Sequence, residues 1–151
     1  MKSKPLAAAL TLVLGAGYAA TALAQVKPEI LVKQRQAKMV LQAKYFGPLA
    51  AMAQGKAPYD AKVVARNAGY LDVLTEMAWD GYDPSTKDVK SRTLPVAYTN
   101  ADKFKQAQRQ LETAVDQLVV AAKGGDEAKV KAAVGAVGKA CGSCHDDFWE
   151  N

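Results

Sequence analysis

Residues 126–151 read DEAKVKAAVGAVGKACGSCHDDFWEN, and this stretch combines a helical pattern with both cysteines and the single histidine of the chain. Apolar or sulfur-bearing residues recur along it at helical steps: Val130, Val134, Val137, Cys141 and Phe148. This spacing places them on one face of an α-helix that begins at Asp126. The same helix therefore packs against others and carries every cysteine and histidine of the chain.

The two thiols of this stretch, Cys141 and Cys144, lie three residues apart, so both can reach one flat ligand from the same helical face. His145 follows directly, and its imidazole can stand under the centre of that ligand. This C-x-x-C-H pattern is the attachment signature of c-type haem, with two thioether bonds and an imidazole on iron. We therefore predict one covalent haem c, bound by Cys141 and Cys144, with His145 as the iron ligand.

Three other interpretations of the motif are weaker. A thioredoxin-like redox pair lies at a strand-to-helix junction, and the sequence contains no strand pattern. A structural zinc site needs four ligands, whereas the cysteines and the histidine number only three. A disulfide between residues three apart on a helix is strained, and it leaves His145 unexplained.

The first 24 residues predict a secretory signal peptide, because a positively charged start is followed by an apolar run and an Ala-x-Ala site ending at Ala24. A membrane anchor is the alternative, since the apolar run approaches spanning length, although two glycines weaken it. Covalent haem attachment in bacteria takes place outside the cytoplasm, so the two signals agree. We expect residues 1–24 to be removed and residues 25–151 to form one periplasmic domain.

The size and charge of the mature chain limit its partners. Its 127 residues suit a single core, and loss of the two leader lysines leaves 18 basic against 15 acidic residues, a net charge near +3. This charge is too small and too evenly spread to indicate that the protein binds nucleic acid. It favours docking to an acidic redox partner, which the sequence does not identify, and no membrane contact is expected after cleavage.

The remaining periodicity predicts three further helices and no strands. The apolar seams are Val32, Gln36, Met39, Ala43, Phe46, Ala50 and Ala53; then Val63, Asn67, Tyr70, Leu74 and Met77; then Phe104, Ala107, Leu111, Val115, Leu118 and Ala122. The predicted boundaries are roughly 28–53, from Asp60 to near Gly81, and from Asn100 or Thr99 to Gly124. A long loop is expected over 80–98. The predicted fold class is an all-α antiparallel four-helix bundle with haem near the C-terminus.

The sixth position on the iron stays open from the residues alone. No second histidine exists, so the candidates are a methionine, a lysine, water or nothing. Met39 lies in the seam of the first helix, where it is either a haem neighbour or an ordinary core thioether. A bound thioether favours electron transfer, whereas an empty apolar site leaves the iron open to a small gas.

The chain resembles the cytochrome c-prime family, the class II c-type cytochromes, over essentially all of its mature length. The C-terminal haem motif carries this resemblance together with KPEILVKQRQAKM at 27–39, FGPLAAMAQGKAPYD at 46–60 and VKSRTLPVAY at 89–98. The resemblance implies a four-helix bundle with a five-coordinate, high-spin haem that binds nitric oxide or carbon monoxide and passes electrons. It implies no enzymatic activity.

The resemblance also assigns roles to single residues. Met39 matches the bulky apolar residue that closes the distal haem face, and the same position provides the methionine ligand in the low-spin, six-coordinate branch. Arg35 and Gln36 match a pair that contacts the haem edge, where Arg35 can bind a propionate. Arg92 falls at another haem-edge position, which is frequently acidic in the family.

Other positions either depart from the family pattern or say less about function. Trp149 stands four places after the haem histidine, where the family usually has a basic residue. Trp79 and Tyr82 match pocket aromatics, and simple core filling explains them equally well. Members of the family often pair through their first two helices, so a homodimer is a further expectation. A peroxide- or nitrogen-oxide-reducing enzyme is the weakest function, because no distal acid or base besides Arg35 lies near Met39.

Overall fold

The computed structural model describes residues 26–150, which form helices joined by two turns and one long connection. The α-helices are α1 (Pro28–Ala53), α2 (Ala61–Glu76), α3 (Val96–Thr99), α4 (Ala101–Gly124) and α5 (Glu127–Phe148). The signal-peptide prediction for residues 1–24 lies outside the described residues. Within residues 26–150, no helix is long and apolar enough to cross a membrane.

The helix starts follow from side chains that cap free backbone N–H groups. Asp60 accepts hydrogen bonds from the N–H groups of Lys62 and Val63 at 2.8 and 3.1 Å, and Asp126 does the same at the start of α5. Asn100, rather than Thr99, caps α4. The starts predicted from these capping residues are therefore confirmed.

The four long helices close into a bundle in which each packs against two neighbours. Helix α1 contacts α2 and α5, and α4 contacts the same two helices from the other side. The short turns between α1 and α2 and between α4 and α5 make these pairs antiparallel. The prediction of an all-α antiparallel four-helix bundle is confirmed.

The end of the bundle that contains these two turns has an aliphatic core, which we call the closed end. Its buried side chains come from all four long helices: Leu49, Met52, Val64, Ala68, Val115, Leu118, Val130 and Val134. Leu118 is 0% exposed. Each buried aliphatic side chain of this kind contributes about 1.5–3 kcal/mol to folding by removal from water.

The predicted seam of α2 is wrong by about one residue along part of its length. Tyr70 and Met77 are exposed, whereas Leu71 and Thr75 are buried. Polar partners explain the difference, because Thr75 accepts a hydrogen bond from the side-chain amide of Gln42 at 3.2 Å. A buried hydroxyl with a partner is tolerated in a core, and apolar periodicity does not reveal it.

The segment after α2 is more regular than the loop predicted for 80–98. Helix α2 ends at Glu76, before the predicted end near Gly81, and Ala78 adopts a left-handed conformation with φ of 56°. Two 3-10 turns follow, Trp79–Tyr82 and Pro84–Thr86, and both pack against α1. We call residues 77–100 the connection; it covers the other end of the bundle.

Candidate cofactor site

A cavity of about 460 Å³ lies between the N-terminal half of α1, the connection and the C-terminal half of α5. Its lining residues are Arg35, Gln36, Met39, Val40, Ala43, Tyr82, Ser91, Arg92, Thr93, Phe104, Cys144, His145, Phe148 and Trp149. This volume is typical of cofactor pockets, as is a wall of apolar and aromatic side chains with a few polar groups. We call this end of the molecule the cavity end.

A larger groove of about 830 Å³ runs between α4 and α5, but it is a shallower and more polar surface. Its wall consists mainly of glutamines, small residues and the two cations Arg109 and Lys139. It includes neither motif cysteine nor the histidine. The smaller cavity is therefore the candidate site.

Helix α5 brings the motif to the cavity. Cys144 and His145 lie in the cavity wall, while Cys141 lies one turn earlier and packs against the core. Neither cysteine forms a disulfide. Burial raises the pKa of Cys141, and burial together with the charge of Cys141 raises the pKa of Cys144 to about 11. Both thiols are therefore protonated at neutral pH, unlike the thiolates of redox-active C-x-x-C pairs.

Backbone pairing fixes the end of α5 against the connection. The N–H of Leu94 donates to the carbonyl of Phe148 at 2.9 Å, and the N–H of Glu150 donates to the carbonyl of Arg92 at 2.8 Å. Thr93 and Trp149 form an isolated antiparallel bridge between these bonds. The register of this pairing places Trp149 beside the histidine of the motif.

Trp149 forms the middle of a stack of three side chains. Its indole ring lies 5.2 Å from the His145 ring, centroid to centroid, and the guanidinium carbon of Arg92 lies 3.8 Å from the indole centroid. Arg92 also donates from Nε to the carbonyl of Glu150 at 2.6 Å. Arg92 is thus in the cavity wall, and its closest aromatic partner is Trp149.

Helix α1 provides the wall opposite the motif. Met39 is half-buried and lines the cavity with Gln36, Val40 and Ala43, whereas Met52 belongs to the aliphatic core and Met77 is exposed. Of the three methionines in the described chain, only Met39 lies at the cavity. Gln36 and Ala43 belong to the expected seam of α1, and both line this cavity together with Met39.

Arg35 joins α1 to the connection. It is 2% exposed, and its Nη1 donates to the carbonyl of Gly81, to the Thr86 hydroxyl at 3.0 Å and to the Tyr98 hydroxyl at 2.9 Å. Its Nη2 donates to the Ser91 hydroxyl at 3.0 Å. A side chain at Gly81 would place its Cβ 2.8 Å from the Arg35 Cβ, so only glycine fits there.

This arrangement gives Arg35 a structural role that the sequence did not indicate. A guanidinium has five N–H donors, and the acceptors within residues 26–150 use Nη1 and one hydrogen of Nη2. Nε and the second Nη2 hydrogen remain for an anionic group in the cavity.

The aromatic side of the cavity consists of Tyr82, Phe104 and Phe148. The Tyr82 and Phe104 rings lie 4.6 Å apart and the Phe104 and Phe148 rings 5.1 Å apart, in tilted and edge-on arrangements. Burial raises the pKa of Tyr82 to about 12, so its hydroxyl is neutral. Trp79 packs behind this layer, 6.1 Å from Phe104.

The sequence interpretation assigned no site role to several residues around the cavity: Lys38, Ser91, Thr86, Tyr98, Phe104 and Phe148. The two phenylalanines lie in the helical patterns, which show burial but not what they face. The hydroxyl partners of Arg35 lie in the connection, where no periodicity exists. In the sequence Gly81 indicates the end of a helix, but glycine also occurs where another part of the chain packs closely against the backbone, as Arg35 does here.

The residues around the cavity fit a covalently bound haem. The wall combines a thiol and an imidazole at adjacent positions with an apolar face and a buried cation at one edge. The second thiol, Cys141, lies one turn earlier on α5 and packs against the core. These are the groups that thioether attachment, iron ligation, porphyrin burial and carboxylate binding need.

Comparison with known proteins gives one consistent result. The family model described as Cytochrome C' matches residues 31–149. Cytochrome c′ from Rubrivivax gelatinosus is 43% identical over 125 residues, which are 82% of this chain and 97% of that protein. A crystal structure of cytochrome c′ from that organism aligns with a TM-score of 0.79 at 42% identity, over 82% of this chain and 98% of the other.

Two further structures come from Alcaligenes xylosoxidans. One is a nitric oxide complex of a cytochrome c prime variant, with a TM-score of 0.78, and the other is a carbon monoxide complex of another variant, with a TM-score of 0.77. Each is 35% identical to this chain and covers 83% of it and 98% of its own length.

Proposed function

Because this chain belongs to the cytochrome c′ family, we propose that it is an exported haem protein that binds a diatomic gas, nitric oxide or carbon monoxide, at a five-coordinate, high-spin iron and can also pass electrons. The family's cofactor is a single covalent haem c. In this chain Cys141 and Cys144 hold it, and His145 binds its iron. When bound, the haem supplies an iron that takes up one gas molecule or exchanges one electron.

The observation that carries this proposal is the difference between the two walls of the cavity. The α5 wall offers an imidazole, whereas the α1 residues that line the cavity, Arg35, Gln36, Met39, Val40 and Ala43, include no histidine or lysine. Apolar side chains exclude water and anions from the space opposite His145 and still admit a small uncharged molecule. The two gas complexes known for relatives agree with this arrangement.

The other residues around the cavity have holding and covering roles. The free donors of Arg35 and the amide of Gln36 bind a haem propionate, and the hydroxyls that fix Arg35 keep its fork in place. Trp149, covered in turn by Arg92, packs against the imidazole of His145. This stack covers one side of the His145 ring.

A six-coordinate, low-spin electron carrier with Met39 as axial ligand is the alternative. It is favoured by the position of Met39 alone, since no other methionine of the described chain lines the cavity. The two functions differ in the state of the Met39 sulfur. The electron carrier needs it bound to the iron, whereas it has to leave the iron before a gas can bind.

An absorption spectrum of the purified, haem-loaded protein separates the two functions. We expect a high-spin Soret band that shifts when carbon monoxide is added to the reduced protein. Met39→Ala should then increase gas affinity, because it removes a side chain that covers the space opposite His145. Met77→Ala, a change at an exposed methionine of the same protein, is the matched control and should leave the spectrum and affinity unchanged. A sharp low-spin spectrum that ignores the gas, and becomes high-spin in Met39→Ala, supports the alternative.

Turnover of peroxide or nitrogen oxides is not part of the proposal. Cleavage of such bonds needs a placed proton donor or acceptor. Among the α1 residues that line the cavity the ionisable group is Arg35, whose hydrogen bonds to the connection keep it as a fixed donor. The site therefore suits binding and electron transfer.

The surroundings of the protein also belong to this proposal. The leader and the covalent haem both indicate the periplasm. Exposed apolar side chains on the outer faces of α1 and α2, Leu41, Tyr70 and Val73, favour a homodimer through these helices. Light scattering of the haem-loaded protein tests this: Val73→Lys should give monomers, and a wild-type monomer at high concentration would contradict it.

A further inference from the structure

A lysine is buried inside the cavity end without a hydrogen-bond partner. Lys38 is 3% exposed, and its Nζ is a buried side-chain atom that has no acceptor within hydrogen-bonding distance among residues 26–150. Lysine is almost never fully buried unless it is paired, because desolvation of the ammonium is expensive.

The contacts of Lys38 place its charge one side chain behind the cavity wall. Its Nζ lies 3.3 Å from the centroid of the Trp79 ring, an attractive cation–π contact. Trp79 in turn packs against Phe104 and Tyr82, both of which line the cavity. Lys38 also lies near Cys144, which lines the cavity.

No carboxylate neutralises this cation directly. Glu112 and Asp80 are the acidic groups close enough to act on it, but neither forms an ion pair with it among the described residues. The Glu112 carboxylate accepts instead from the Gln108 amide at 2.9 Å. Burial lowers the pKa of Lys38 to about 8, so the side chain still carries its charge at pH 7.

We propose that Lys38 is a positioning residue for electron transfer. Its fixed, buried cation lies behind Trp79 and Cys144, stabilises the ferrous over the ferric haem, and so raises the midpoint potential. Reduction adds one electron to the haem and no atom leaves, so the reduced site has one positive charge less. A nearby cation therefore favours the reduced form. This inference rests on the proposed haem attachment through Cys144.

The size of the effect follows from electrostatics. A unit charge on the order of 10 Å from a one-electron centre, at an effective dielectric constant of about 20, changes the ferrous-to-ferric ratio roughly tenfold. A tenfold change corresponds to about 59 mV for a one-electron couple. An exposed lysine on the same helix is screened by water and salt and has a much smaller effect.

Spectroelectrochemical titration of the haem-loaded protein at pH 7 tests the proposal. Lys38→Met replaces the lysine with an apolar side chain of similar length, and Lys38→Gln is a second neutral variant with a polar end. Both should lower the ferrous-to-ferric ratio at a fixed potential about tenfold. Lys33→Met removes an exposed charge from the same helix and is the matched control.

The outcomes separate this inference from the proposed function. Neutral variants that keep a wild-type haem spectrum and shift no more than Lys33→Met would overturn it. Loss of covalent haem in both neutral variants, with haem retained in the control, would also overturn it, since Lys38 would then serve attachment. Wild-type protein without covalent haem would instead contradict the proposed function. Chemical unfolding gives an independent readout, because removal of an unpaired buried charge should leave both neutral variants at least as stable as wild type.

Discussion

The closed end and the cavity end of this bundle are built from the same four helices but are held together by different interactions. At the closed end, short capped turns bring aliphatic side chains such as Leu49 and Leu118 into one core. At the cavity end, the buried residues include Arg35, Lys38, Thr75 and Thr86. The closed end is thus stabilised by burial of apolar area, whereas the cavity end depends on hydrogen bonds, stacked rings and a cofactor.

The largest effect on stability is expected at the closed end. Leu118→Ala should lower the free energy of unfolding by about 3–4 kcal/mol, because it removes buried methyl groups and leaves a cavity. Val120→Ala on the same helix is the control, since Val120 is 70% exposed and its truncation should change stability by less than about 0.5 kcal/mol. Guanidinium unfolding followed by circular dichroism measures both. A loss below about 1 kcal/mol for Leu118→Ala would show that this core is not what holds the closed end.

At the cavity end, the next largest effect is expected from Arg35. Arg35→Leu removes the guanidinium donor from three hydroxyls and one of two donors from the carbonyl of Gly81, so unfolding should become easier by about 2–3 kcal/mol. The loss should be local: amide hydrogen exchange should speed up in residues 79–98 and stay slow in residues 128–137. Arg109→Leu, a change at an exposed arginine of α4, is the control. Equal loss of protection at both ends would contradict a separate role for the cavity end.

Stability should depend on pH through Lys38. Its folded pKa of about 8 lies below its usual value of 10.5, so between these values the unfolded chain binds more protons than the folded one. Raising the pH through this window therefore stabilises the folded state. At pH 7 the buried charge opposes folding by at most about 3 kcal/mol, and this penalty is gone above the usual pKa.

The comparison with a neutral variant isolates this effect. Lys38→Met should be more stable than wild type at pH 7, and the difference should shrink as the pH rises from 8 to 10.5. Unfolding curves measured at several pH values give the difference directly. A difference that stays constant across this window would mean that the Trp79 contact holds the lysine at its usual pKa.

The smallest effect is expected from a surface ion pair at the cavity end. Lys103 and Asp147 lie 2.6 Å apart, but their side chains are 47% and 42% exposed. Solvent and salt screen such a pair, so Lys103→Ala should change the free energy of unfolding by less than about 0.5 kcal/mol. A larger loss, measured in the same unfolding experiment, would indicate that α4 holds the end of α5 in place more firmly than the buried contacts do.

The closed end could be predicted from the sequence because its buried apolar side chains recur at helical spacing. The helices, their order and the bundle follow from capping residues such as Asp60 and Asp126 and from the spacing of apolar residues in α4 and α5. The motif cysteines and the histidine gave the cofactor because their chemistry depends on local spacing. The seam of α2 failed where Thr75 takes a buried position through a hydrogen bond that apolar periodicity does not show.

The cavity end could be predicted only in part. The resemblance gave Arg35, Gln36 and Met39, and all three line the cavity. The hydrogen bonds that hold Arg35, in contrast, join residues 46–63 positions apart, and no local pattern encodes such contacts. The buried state of Lys38 depends on Trp79, which lies in the non-periodic connection.

The central claim is that the cavity end is completed by a haem bonded to the cysteines of α5. Mass spectrometry of the mature protein, made in a host that matures c-type cytochromes and then digested, tests it directly. We expect the peptide containing Cys141 and Cys144 to carry the mass of one haem, and Cys141→Ala together with Cys144→Ala to remove that mass. Colourless protein whose peptide has only the polypeptide mass would contradict the account.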